Sequence, residues 1–175
     1  MPKGTPIIEF EFIGDKEIVK GLSGYREYYL GAMLTIFRRI GTALVPEIKK
    51  ETPIGATSKL RNTTVYQVLG TSEDMRMEIR QSAFSPSGFP YGVAVRKGTR
   101  PHFPPIAALI PWVVKKLGIS DAKQARTVAF LIARKISKVG TKPNPYHDRA
   151  FQSQVGMIRQ VLSEEATRLA ARIKT

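Results

Sequence analysis

At 175 residues, 42% of them hydrophobic, the chain has enough apolar material for one well-buried domain, which argues against wholesale disorder. The absence of cysteine excludes disulfides and thiolate metal sites, and no apolar run approaches the ~18 residues that a membrane helix requires. A formal charge of +14, from 28 basic and 14 acidic residues, points towards an anionic partner. The opening residues MPKGTPIIEFEF place glutamates where a signal peptide would be apolar, so a cytosolic origin is the default expectation.

Taken in order, Ile8, Phe10 and Phe12 alternate with Glu9 and Glu11, the pattern of a half-buried strand. Gly14-Asp15 then supplies a turn. After Gly24 the period changes. Leu30, Met33, Leu34, Phe37, Ile40, Leu44 and Ile48 recur at steps of three and four, predicting a long amphipathic helix over roughly Tyr25 to Lys50. Pro46 predicts a kink in its last turn, and Arg38 and Arg39 read as its solvated face. Pro53 and Gly55 end it.

Three strand-like runs follow: Thr63 to Leu69, Met75 to Ser82 and Tyr91 to Arg96. Short turn-rich separators, Gly70 to Asp74 and Phe84 to Pro90, favour an antiparallel meander. In its middle strand Met75, Met77 and Ile79 face one way and Arg76, Glu78 and Arg80 the other, so one face packs under the long helix.

The stretch Tyr91 to Pro105 breaks at Gly98, where glycine accepts a positive φ, and stiffens through Pro101, Pro104 and Pro105. Its chemistry returns at Gly140-Thr141-Lys142-Pro143-Asn144-Pro145-Tyr146-His147. Two connectors of one kind therefore bracket a helical insertion. Ile106 to Leu117 reads as a short helix or two turns with Pro111 near its start, and Gly118 as its C-cap. A second helix runs from about Ala122 to Val139, capped by Ser120 or Asp121, with Ala125, Val128, Ala129, Ile132 and Ile136 on its apolar face. Gly140 stops it. Asp148 is a plausible N-cap for a last helix reaching about Lys174, with Phe151, Val155, Ile158, Leu162, Leu169 and Ile173 along one side. The class is α+β: an antiparallel meander packed against a long N-terminal helix, with a helical insertion and a C-terminal helix. Residues 1–175 read as a single domain, with 101–139 as a basic insertion.

The charge is uneven. From Pro90 to His147 there are 11 Lys or Arg against one acid, Asp121, which is +10 of the total +14. A solvated helix face is the plain reading; the concentration of charge favours a polyanion.

Catalytic signals are weak. Gly92 to Thr99 has neither the spacing nor the lysine of a phosphate-binding loop. His102 and His147 are the two histidines, and a shared metal would need carboxylates that only Asp148 offers nearby; packing or hydrogen bonding is the favoured reading. Glu73-Asp74 and Glu164-Glu165 read as solvated, and Trp112 as a core or interface anchor. A non-enzyme without a cofactor is expected.

Several phrases in order resemble the tail-completion, or head–tail joining, family of long-tailed lambdoid-type phages. Thr52-Pro53-Ile54-Gly55-Ala56-Thr57-Ser58-Lys59-Leu60-Arg61-Asn62 is similar to the family's P-x-x-T-G-x-L-R-x-S phrase. Tyr91-Gly92-Val93-Ala94-Val95-Arg96-Lys97-Gly98-Thr99 is similar to Y-A-x-x-V-E-x-G-T, and Pro143 to Ala150 to P-x-P-F-x-x-P-A. The resemblance covers roughly residues 25–175. It departs at Ser58, where glycine is usual, at Arg96, where an acid is common, and at Arg149, where proline is common.

The resemblance implies a virion protein, made in the host cytoplasm, that forms a homo-oligomeric ring in the phage neck and joins head to tail around the DNA passage. Its partners would be adjacent neck and tail proteins, with non-specific contact to genomic DNA and none to membrane. The connector residues Gly98, Thr99, Arg100, Pro101, His102, Phe103, Lys142, Pro143, Pro145 and Tyr146 would then make subunit or neighbour contacts, since pre-ordered loops lose little entropy on docking. Arg126, Arg134, Lys135 and Lys138 would face DNA or acidic surfaces of neighbouring rings. The alternative is a stand-alone basic DNA- or RNA-binding module.

Overall fold

The computed structural model describes residues 5–11, 26–55, 57–71, 74–85 and 88–173, and its class is α+β. Strand β1 (Thr5–Glu11) packs Ile8 and Phe10 towards the core and leaves Glu9 and Glu11 exposed, as its alternation predicts. The turn expected at Gly14-Asp15 lies outside the described residues, as do Phe12, Gly24, Tyr25, Ala56, Ser72, Glu73, Pro86, Ser87 and Lys174.

Helix α1 (Arg26–Glu51) buries Met33, Phe37, Ile40, Leu44 and Ile48, one stripe at helical spacing. It continues through Pro46. Pro46 and Thr42, whose carbonyl loses its intrahelical partner, are both exposed, so water can take that acceptor. The helix also comes close to the sheet at Gly41, where a Cβ would lie 2.5 Å from the Tyr66 ring.

A short helix α2 (Lys59–Asn62) leads into the hairpin of β2 (Thr64–Leu69) and β3 (Arg76–Gln81). The sheet order is β1-β3-β2, with both pairs antiparallel. This corrects the expected meander. Residues 91–96 are not a strand but belong to helix α3 (Tyr91–Lys97). There are two physical reasons. Both edges of β3 are taken, one by β2 and the other by β1 from the far N-terminus. And Tyr91 and Val95, four apart, pack on the core while Val93 is exposed, so the three-to-four period outweighs the alternation of two valines.

Helix α6 (Tyr146–Ile173) lies along α1 and adds Ala150, Ile158 and Val161 to the core. It begins two residues before Asp148, which is therefore in the first turn, where a carboxylate suits the helix dipole, and is not the N-cap. Arg39 and Glu165 also depart from the solvated reading. The Arg39 Nη1 is 2.8 Å from Glu164 and 3.4 Å from Glu165, and the almost fully buried Glu165 is also held by Arg168 at 2.9 Å. These pairs tie α1 to α6.

Helices α4 (Ile106–Leu117) and α5 (Ala122–Val139) pack on each other around their own apolar cluster of Val113, Ala125 and Ala129, with Trp112, Val128 and Ile132 at its margin. Gly118 ends α4 in the left-handed conformation, and the Asp121 carboxylate caps α5 by accepting from the Gln124 amide at 2.7 Å. Among the described residues no helix is long and apolar enough to cross a membrane.

Candidate functional site

The two connectors meet. Thr99 N donates to Thr141 O at 3.2 Å, and Thr141 N donates to Thr99 O at 3.1 Å, while their hydroxyls lie 3.0 Å apart. This reciprocal bridge joins residues 42 apart and forms a two-stranded neck under the α4–α5 hairpin. The glycine before each threonine makes the approach possible. Gly98 (φ 71, ψ −176) and Gly140 (φ 69, ψ −160) occupy a region essentially reserved for glycine. A Cβ on Gly98 would meet Thr141 O at 2.3 Å, and one on Gly140 would meet Thr99 O at 2.0 Å. The repeated Gly-Thr phrase is thus one structure seen from both strands.

Below the neck the second connector is fastened to the body. Asn144 N donates to both Val95 O and Arg96 O at 3.1 Å, closing the end of α3. Arg149 binds the Asn144 side chain at 2.8 Å and the Glu51 carboxylate at 2.7 Å, linking the connector to the end of α1.

A buried polar network anchors the start of α6. Gln81 follows Met77 and Ile79 on the core-facing side of β3, opposite Thr64. Its Oε1 accepts from the Tyr146 hydroxyl at 2.6 Å and lies 3.4 Å from His147 Nε2. Its Nε2 donates to Thr64 Oγ1 at 2.9 Å and reaches Thr52 Oγ1 at 3.5 Å. Tyr146 is fully buried, which corrects its assignment to a contact surface: it is the core anchor from which the connector leaves. Gln81 was not foreseen, although a glutamine at a core-facing strand position is a readable signal. Burial pushes Tyr146 up to about 12, against the pull of Gln81 and Arg96.

Burial, then the nearby Arg96 charge, lower His147 from the ordinary 6.5 to about 4, with Asp148 opposing. The folded protein therefore holds this imidazole neutral where the unfolded chain protonates it. Above the unfolded value the two states bind equal numbers of protons. As pH falls from 6.5 towards 4 the unfolded chain gains a proton first, so stability drops. The expected loss is about 2 kcal/mol between about pH 7 and about pH 5, measurable by urea unfolding of the chain and of a His147→Gln variant. If the two proteins lose stability in parallel, His147 is not the group responsible.

The other nominated residues are distributed as follows. Arg100, Pro101, His102, Phe103, Lys142, Pro143 and Pro145 are exposed, whereas Gly98 and Thr99 are half-buried within the bridge. His102 Nδ1 is 2.9 Å from Arg100 O, on the outside of its connector, so the two histidines share no site. Among the described residues no cluster of three or more His, Asp or Glu side chains could hold a metal ion.

Arg126, Arg134, Lys135 and Lys138 are exposed on α5 but do not form one line. At about 100° per residue, Arg126 and Lys135 fall on opposite flanks, while Arg134 and Lys138 share a stripe with Lys123. The segment from Pro90 to His147 has one acid, Asp121, and its carboxylate caps α5. Between hairpin and body runs an apolar groove of about 690 Å³, lined in part by Ile54, Leu60, Tyr91, Leu109 and Trp112. Comparison of the chain with protein-family models, with curated proteins and with solved structures gives no match.

Proposed function

We propose that the chain is a structural subunit of a tailed-phage neck, assembling as a ring that joins head to tail around the DNA passage. The observation that carries this reading is the reciprocally bonded neck, which fixes a basic helical hairpin outside the body's core. Such a rigid projection suits contacts between unlike surfaces of neighbouring subunits.

The phrase Thr57 to Arg61 lends further support. Ser58, at the position where the resembled family has glycine, takes φ 53, a conformation that favours glycine. Leu60 is buried, and Arg61 donates to the carbonyls of Lys50 and Thr52 at 3.4 and 3.3 Å, closing the end of α1. Each element of the phrase has a structural task here.

The test is the mass of the full chain in solution, alone and mixed with the tail-tube and head-connector proteins of the same phage. A ring is expected in at least the mixture; a monomer in both overturns the proposal. Reversing Arg134, Lys135 and Lys138 to Glu is expected to leave the ring intact and reduce head–tail joining at least about tenfold, the effect of roughly 1.4 kcal/mol of lost docking energy. Joining at the wild-type level would remove these charges from the mechanism.

The concentration of 11 basic residues against one acid favours a second reading, a stand-alone DNA- or RNA-binding module. That reading requires duplex binding by the isolated chain with a steep salt dependence.

A further inference from the structure

The α4–α5 hairpin is basic, and its exposed side also carries large apolar side chains. Phe103 on the first connector and Phe130 on α5 have ring centroids 6.2 Å apart at a 58° tilt. Phe103 is 53% exposed, Phe130 44% and the adjacent Leu131 54%. On a helix surface, positions four apart are neighbours, so Arg126 and Arg134 stand on either side of Phe130, while Leu131 lies across the Lys123, Arg134 and Lys138 stripe from it.

We propose that this face is a docking surface for an acidic partner protein that inserts apolar side chains between carboxylates. Aromatic anchors flanked by arginine are the composition of the energetic centre of protein interfaces. The sign of the partner follows from charge: the segment 90–147 carries +10. A second copy of the same hairpin would meet it with like charge. Duplex DNA would satisfy the guanidinium groups, but its phosphate–sugar exterior would leave Phe103, Phe130 and Leu131 in water. An acidic protein surface with apolar anchors matches both features. This inference stands whether or not the chain forms a ring.

The test uses the full chain and three probes at one salt concentration: polyglutamate, a longer peptide with the same number of glutamates and leucines interspersed among them, and a DNA duplex. The leucine-bearing peptide is expected to bind about tenfold more tightly than polyglutamate. Phe103→Ala with Phe130→Ala should abolish that preference while leaving polyglutamate binding and far-ultraviolet circular dichroism unchanged, since both rings are half exposed. Equal binding of the two peptides overturns the proposal. So does duplex binding that matches the leucine peptide and is unaffected by the double substitution, which assigns the face to phosphate. Self-association that the double substitution removes also overturns it, by assigning the face to a second copy.

Discussion

Substituting Gly98 with valine is expected to open the neck and release the α4–α5 hairpin from its fixed position. Two effects add. A β-branched residue at φ 71 is strained by roughly 1–3 kcal/mol, because its Cβ crowds the backbone. The new Cβ would also lie 2.3 Å from Thr141 O and 2.9 Å from Pro143 N, both backbone atoms that no rotamer change can move. The strands must therefore separate, losing two bridge hydrogen bonds at about 0.5–1.5 kcal/mol each. A total of about 3–5 kcal/mol is expected, read as a lower thermal midpoint and faster hydrogen exchange at the Thr99 and Thr141 amides. Gly88→Val is the internal control. Gly88 has φ 81 but no neighbour within 4 Å of a Cβ, so it reports the backbone strain alone. Equal losses from the two substitutions would mean that the bridge contributes nothing.

Because the hairpin holds its own cluster around Val113, Ala125 and Ala129, releasing it should preserve helix content while uncoupling two transitions. That separation bears on assembly. In the proposed docking role, an arm whose direction is already fixed loses less entropy when a partner arrives. The neck supplies the direction.

How much of this could be read from the chain depends on the range of each interaction. Helix α1 and strand β1 were legible because a stripe of Met33, Phe37, Ile40 and Leu44, or an alternation of Ile8 with Glu9, repeats locally. The Gly118 and Asp121 caps were legible for the same reason. Residues 91–97 misled, since two valines two apart fit either period and the arbiter was distant: β1 already occupied the edge of β3 that a further strand would need. Arg39 and Glu165 misled similarly, because nothing within either helix reveals that α1 and α6 lie side by side. The repeated Gly-Thr phrase was visible, but its meaning was not. Two similar connectors become one neck only when residues 42 apart exchange hydrogen bonds.

Gln81→Leu is expected to cost about 3–5 kcal/mol, because the side chain satisfies several buried groups at once. Leucine keeps the approximate volume but leaves the Tyr146 hydroxyl without its acceptor and Thr64 without its donor. It also removes the polar atom 3.4 Å from His147 Nε2, and the Nδ1 of that ring is already buried without a hydrogen-bond partner. Tyr146→Phe alone should cost only about 1 kcal/mol, since it deletes a donor and leaves Gln81 bonded to Thr64. In the double variant the unpaired hydroxyl is gone, so the combined loss should fall short of the sum by about 1–2 kcal/mol. Chemical unfolding of the four proteins measures that coupling, and strict additivity would dissolve the network into unrelated contacts. If the coupling is present, the start of α6 is fixed to the sheet through Gln81. Asn144 and Arg149 extend that fixation to the second connector, which the Thr99–Thr141 bridge joins to the first at the base of the hairpin.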